Sequence, residues 1–322
     1  DSTLSFSIKV KPEGEETVYY WMTAGKDYSE VSRLNKMIMG HGAEYYIRRT
    51  GNYWSAWLNK EKIFFSNLPT KIVEQYKKSL LILRTNIDSH GAIIAGNDSD
   101  ILHFARDTYS YMWPRDGALT AHALDMAGYL GITRHFFDFC LNIIRKGKES
   151  SGYFLHKYNP DGSLGSSWHP WVNAHEKILP IQEDGTGLVV WALWFHFDKF
   201  KDIEFIANQY ENLVIRCGDF LASYRDGKTG LPLSSYDLWE EKWGIHTFTV
   251  STVYAGIRAA EKFASCFRDT RRIKIYRKAA EEVKAAMDQY LYSEEHGRVL
   301  KSIVTRKDGS FDLDLTIDAS IY

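Results

Sequence analysis

The period of the apolar positions changes near residue 70. Before that point, "LSFSIKV" (4–10) alternates apolar and polar residues. "ETVYYWMTAG" (16–25) is β-branched and aromatic, and "KPEGE" lies between the two as a turn. This pattern predicts two strands. Two strands do not hold a sheet on their own, so residues 1–26 read as the tail of an N-terminal β-sandwich domain. "YSEVSRLNKMI" (28–38) predicts a helix. The remainder up to residue 70, including "WSAWL" (54–58), reads as a linker.

From residue 71 the period is helical. Ile72, Val73, Tyr76, Leu80 and Leu83 form one apolar stripe. Further stripes are Leu119, Ala123, Met126 and Leu130; then Phe136, Phe139, Cys140 and Ile143. "GLVVWALWFHF" (187–197) is apolar nearly all round, which predicts a helix buried on several sides. Residues 203–224 and 248–267 are amphipathic. Ala279, Ala280, Val283, Ala286, Met287 and Tyr290 form the cleanest stripe. About seven helices result, with "IDASIY" (317–322) as the opening of another. The fold class is mainly α: a toroid of helix pairs, with a bundle or a solenoid as the alternatives.

Composition narrows the chemistry. The 322 residues carry a net charge of −1, which removes the electrostatic case for nucleic acid or an anionic membrane surface. No apolar run reaches the length of a membrane helix, roughly 20 residues. The three cysteines have no metal-ligand spacing, and no metal or cofactor is implied. His169 and His175 lack a carboxylate or cysteine partner at ligand spacing and read as structural. Aromatic residues are 15% of the chain, with 10 Trp and 20 Tyr. Trp and Tyr join a flat apolar face to one polar handle, which suits either an aromatic core or a pocket for sugar rings.

Long loops at 89–114, 147–184 and 225–246 carry the unusual residues, and long structureless loops are commonly functional. In "DTYSYMWPRDG" (107–117), Tyr109, Tyr111 and Trp113 lead into Arg115 and Asp116. Asp116 reads as a helix N-cap after Pro114. The aromatics with Arg115 read equally as a stacking surface with a donor fork and an acceptor pair. In "LPIQEDGTGLVVWAL" (179–193), Gln182, Glu183 and Asp184 precede Gly185 at a second helix start, where the helix dipole favours carboxylates. In "SYDLWEEKWGIHTF" (235–248), Trp239 precedes Glu240 and Glu241, about six residues before a third helix start. Loops entering alternate helices converge on one end of such a scaffold, where pockets form.

Together, "YSYMWPRDG", "QEDGTGLVVWAL" and "YDLWEEKWGIHTFTVSTVYAGI" resemble glycoside hydrolase family 15, which holds glucoamylases, glucodextranases and some trehalases. The resemblance is strongest to its prokaryotic type. It covers roughly residues 70–322 and implies an (α/α)6 catalytic toroid over 71–322. Residues 1–26 are then similar to the end of the preceding β-sandwich, and 27–70 to the linker. It implies an inverting hydrolase that releases glucose from non-reducing ends of α-glucans, with an oligosaccharide or polysaccharide α-glucoside as partner. A trehalase of the same family is the alternative. By resemblance Glu240 is the general acid and Glu241 lines the neighbouring subsite. Arg115 and Asp116 grip the terminal glucose, ringed by Tyr109, Tyr111, Trp113 and Trp239. Gln182, Asp184 and Gly185 match the family's second loop.

The family's base is a glutamate well downstream, and no acidic residue here matches its motif. The chain therefore reads as cut inside the toroid, with the base beyond Tyr322. A chain without that base is expected to be inactive alone, a sugar-binding remnant, with apolar helix faces that favour a homo-oligomer. Its compartment stays open. A like charge and an apolar wall both raise a carboxyl pKa, so Glu241 and Trp239 are expected to keep Glu240 protonated.

Overall fold

The computed structural model describes residues 3–61, 63–97, 108–146, 152–166, 171–173, 176–306 and 308–317. The chain divides into two units, Asp1–Ser66 and Asn67–Tyr322. In the first, residues 3–26 form no strand, contrary to their alternating pattern. Alternation becomes a strand only where a neighbouring strand supplies the ladder. Helices α1 (Tyr28–His41) and α2 (Ala43–Leu58) follow, so "WSAWL" is helical rather than connecting chain. Asp27 caps α1 by accepting from the Glu30 amide at 2.8 Å, and Gly42, at φ 82°, separates the two helices.

The second unit begins with α3 (Thr70–Thr85), α4 (Pro114–Met126) and α5 (Leu130–Lys146). A short hairpin, β1 (Val172–Asn173) and β2 (Glu176–Lys177), precedes α6 (Glu183–Phe200). The amphipathic stretch 203–224 is α7 (Ile203–Gln209), one π-helical turn at Tyr210–Val214, and α8 (Ile215–Ser223). Next come β3 (Ser235–Tyr236), β4 (Trp243–His246), α9 (Thr247–Cys266) and α10 (Thr270–Tyr290). The described chain closes with β5 (Tyr292–Ser293), β6 (Arg298–Val299), β7 (Ser302–Thr305) and β8 (Phe311–Asp314). Antiparallel pairing sets the order β3-β4-β7-β8 in one sheet, with Ile245 opposite Ile303 and Ile303 opposite Leu313. Most of "IDASIY" lies outside the described residues.

Helix α6 is the core, packed between α4 and α9, and twelve of its residues are buried. Its all-round apolar sequence is the cause. At the crossing with α9, a Cβ on Gly256 would lie 2.8 Å from the Gly187 Cα, so only glycine permits this approach. The buried stripe of α4 is Ala118, Ala121 and Leu124, whereas Leu119, Ala123 and Met126 face outward. The predicted stripe is one register off because Asp125 also points inward. It pairs there with His196 Nδ1 at 3.1 Å and with the Thr133 hydroxyl, a buried polar link joining α4, α5 and α6.

Candidate active site

The N-termini of α4, α6 and α9 bring three sequence segments together. Trp113 is the N-cap of α4 and Pro114 its first residue. Pro suits that position because its missing N–H would have no partner there. Asp116 therefore lies in the first turn and is not the cap. Gln182 is the N-cap of α6. Glu240 lies in the six-residue loop between β3 and β4, directly before α9.

That loop is built by Asp237, which is 1% exposed. Its carboxylate accepts from the amides of Glu241 (2.8 Å) and Lys242 (3.1 Å), and its carbonyl accepts from the Glu240 amide (2.9 Å). The turn leaves Glu240 at φ 59°, a strained left-handed conformation for a non-glycine residue. Its effect is to turn Glu240 inward, to 8% exposure, while Trp239 (50% exposed) and Glu241 stay at the surface.

Two side chains clamp the Glu240 carboxylate. Trp113 Nε1 donates to Oε1 at 2.8 Å. His156 Nε2 lies 2.7 Å from Oε2, a close ion-pair contact without hydrogen-bond alignment. Burial pushes the Glu240 carboxyl up, but His156, the Trp113 N–H and the Arg115 charge together outweigh it. The net direction is below the ordinary glutamate range. The expected wall of Trp239 and Glu241 is thus replaced by Trp113 and His156, and the expected rise becomes a fall. The physical reason is that both Trp113 and His156 present N–H groups to the charged form.

His156 is placed by backbone pairing. Met112 and Tyr158 exchange hydrogen bonds at 2.8 and 2.9 Å, and the His156 amide donates to the Pro180 carbonyl at 2.8 Å. Its ring meets Trp113 and Trp171 edge-on, at 6.2 and 5.3 Å. Neighbouring Lys157 is fully buried, with Nζ 4.6 Å from the Tyr111 ring centre and 5.0 Å from that of Trp113. Neither residue lies in a motif that sequence reading singles out. Their only signal is their position in a long loop.

Arg115 holds the second cluster. Its guanidinium donates to Gln182 Oε1 (3.1 Å) and pairs with Asp116 (3.1 Å) and Asp184 (3.5 Å). Gln182 in turn donates to the Asp237 carbonyl at 2.6 Å, which ties this cluster to the Glu240 loop. Burial works against the Arg115 charge, and Asp184, Asp116 and Glu240 restore it, so its pKa is raised. Burial raises the Asp184 carboxyl against the pull of Arg115. Glu183, 1% exposed, is pushed by burial up to about 7.

Of the sequence-predicted residues, Trp113, Arg115, Asp116, Gln182, Asp184 and Glu240 form one connected array. Tyr111 meets Trp113 edge-on at 6.0 Å, and the half-exposed Tyr109 lies 6.1 Å from it. His169 and His175 lie outside the described residues. Among the described residues no group of three or more His, Cys, Asp or Glu could hold a metal ion, and no helix is long and apolar enough to cross a membrane.

The model of Glycosyl hydrolases family 15 matches residues 74–314. The chain is 27% identical over its whole length to an uncharacterized glycosyl hydrolase of Methanocaldococcus jannaschii and spans 48% of that relative. A bacterial glucoamylase complexed with acarbose has a TM-score of 0.69 at 18% identity, over 92% of this chain and 42% of that one. The glucoamylase of Saccharomycopsis fibuligera has a TM-score of 0.60 at 19% identity, over 76% and 54%. A glycosidase solved with glucose has a TM-score of 0.57 at 19% identity, over 74% and 64%. These likenesses are of fold: the (α/α)6 toroid of helix pairs. The chain spans about half the length of the curated relative it matches.

Proposed function

The chain belongs to glycosyl hydrolase family 15, and from that premise we propose that the protein containing it is an inverting glycosidase releasing glucose from non-reducing ends of α-glucans. The observation that carries this is the buried Glu240 carboxylate, clamped by Trp113 and His156 and joined through Asp237 and Gln182 to the Arg115–Asp116 pair. In this reading Glu240 donates the proton to the glycosidic oxygen. Arg115 and Asp116 hold hydroxyls of the terminal sugar, with Asp184 and Gln182 fixing Arg115. Tyr109, Tyr111 and Trp113 form the apolar wall, and the exposed Trp239 and Glu241 meet the next sugar. The glucose and acarbose bound to the similar glycosidase and glucoamylase support a sugar at this place in the fold.

Inversion needs a second carboxylate about 6.5–9.5 Å from the first, acting as base. Asp184 is committed to Arg115 and Asp237 to its turn. The proposal places the base in the half of the relative that this chain does not span. An acid must also be protonated when the sugar is bound. Desolvation by a bound sugar favours that form.

One observation favours a second reading, sugar binding without hydrolysis: the neighbours of Glu240 favour its ionised state. Titration calorimetry with maltose, beside an assay of glucose release, separates the two. Binding with release supports the glycosidase, and binding without release supports the second reading. Glu240→Gln is expected to lower release at least about 1,000-fold while maltose still binds. Unchanged release would refute the role of Glu240.

A further inference from the structure

We infer that His156 is a positioning residue for Glu240, gripping one carboxylate oxygen and setting the alkaline limit of the reaction. The inference rests on Glu240 acting as the acid. It starts from geometry. The His156 and Glu240 side chains are 3% and 6% exposed, and Nε2 and Oε2 are 2.7 Å apart. Water cannot substitute for such a partner, so whatever faces Oε2 governs how tightly the proton is held. Trp113 occupies the other oxygen, so His156 and Trp113 divide the carboxylate between them.

The other charged groups around the pair have their own partners. Arg115 from α4 lies within electrostatic reach but is shared by Asp116 and Asp184. Lys157 sits against the rings of Tyr111 and Trp113. Asp237, on the same loop as Glu240, is held by the Glu241 and Lys242 amides, and Glu183 on α6 lies beside Ser235. His156 is thus the group in direct contact with Glu240 whose removal changes the charge balance most selectively. The contact is close but not aligned as a hydrogen bond, so an approaching glycosidic oxygen can replace it without breaking a strong bond. The consequence is a stronger proton donor working over a more acidic range.

His156→Gln keeps a donor and removes the imidazole. Glutamate labelled with ¹³C at the carboxyl gives a direct readout, the Glu240 resonance being assigned by its loss in Glu240→Gln. The midpoint of that resonance is expected to rise by about one pH unit in His156→Gln. The fall of kcat/KM at high pH moves up by the same amount. His156→Asn provides the same comparison if the glutamine variant loses its helical circular dichroism. An unmoved carboxyl midpoint overturns the inference. A moved midpoint with an unmoved rate profile overturns the link to the alkaline limit, and with it the assignment of Glu240 as acid. Loss of rate at every pH with both midpoints unchanged marks a merely structural histidine.

Discussion

Glu183 carries its carboxyl into the first turn of α6, fully buried, beside Ser235 but with neither oxygen aligned in a hydrogen bond. Burial raises its pKa to about 7, from an ordinary 4.5. A carboxyl raised in the fold favours the folded state only while it is protonated. That contribution is complete below about pH 4.5 and disappears as pH rises through about 7. Wild-type stability, measured by denaturant unfolding, should therefore fall between pH 6 and 8.5. Glu183→Gln should remove most of that slope and be more stable at pH 8.5 by about 1–3 kcal/mol. Equal slopes in the two proteins would exclude the effect. "QEDG" displays this glutamate in the sequence but not its burial. Burial follows from α4 and α9 closing over α6, and a helix start looks the same on a surface.

At the scale of elements, the β3–β4 loop and the α6–α9 crossing each depend on one residue type. Asp237→Ala frees the Glu241 and Lys242 amides and releases the left-handed turn at Glu240. We expect glucose release to fall by about 10-fold or more with a small change in Tm, because a displaced proton donor loses rate before the fold loses stability. Activity equal to wild type would show that the loop holds without Asp237. At the crossing, a side chain on Gly187 runs into the Thr252 carbonyl of α9. Gly187→Ala should cost about 2 kcal/mol in chemical denaturation by overpacking. An unchanged midpoint would show that the helices separate freely. The hairpin itself is not legible in "SYDLWEEKWGIHTF". Its strands are two and four residues long, too short to show alternation.

For the molecule as a whole, every contact of the candidate site lies within residues 67–322. A chain beginning at Asn67 should therefore retain helical circular dichroism and bind maltose with a Kd within about threefold of the longer chain. Loss of binding with the helices intact would give residues 1–66 a part in the site. In that first unit, the strands expected at residues 4–25 are not formed among the described residues. Hydrophobic alternation is a pattern that many segments carry, and it needs a partner strand that local sequence does not supply.

The sequence by itself determined the helical unit, because apolar period is a local property: the stripes of α5, α6 and α10 are buried as read. It also determined which segments carry chemistry, since aromatic and charged residues crowd into the loops before α4, α6 and α9. Only the tertiary structure decided which side chain faces which. It turned Glu240 inward and left Trp239 and Glu241 outside. It set His156, 84 positions away in the chain, against the Glu240 carboxylate. It also reversed the expected direction of the Glu240 pKa. A proton's affinity depends on the donors and charges within a few ångströms, and the residues that supply them here are distant in sequence and brought together only by packing.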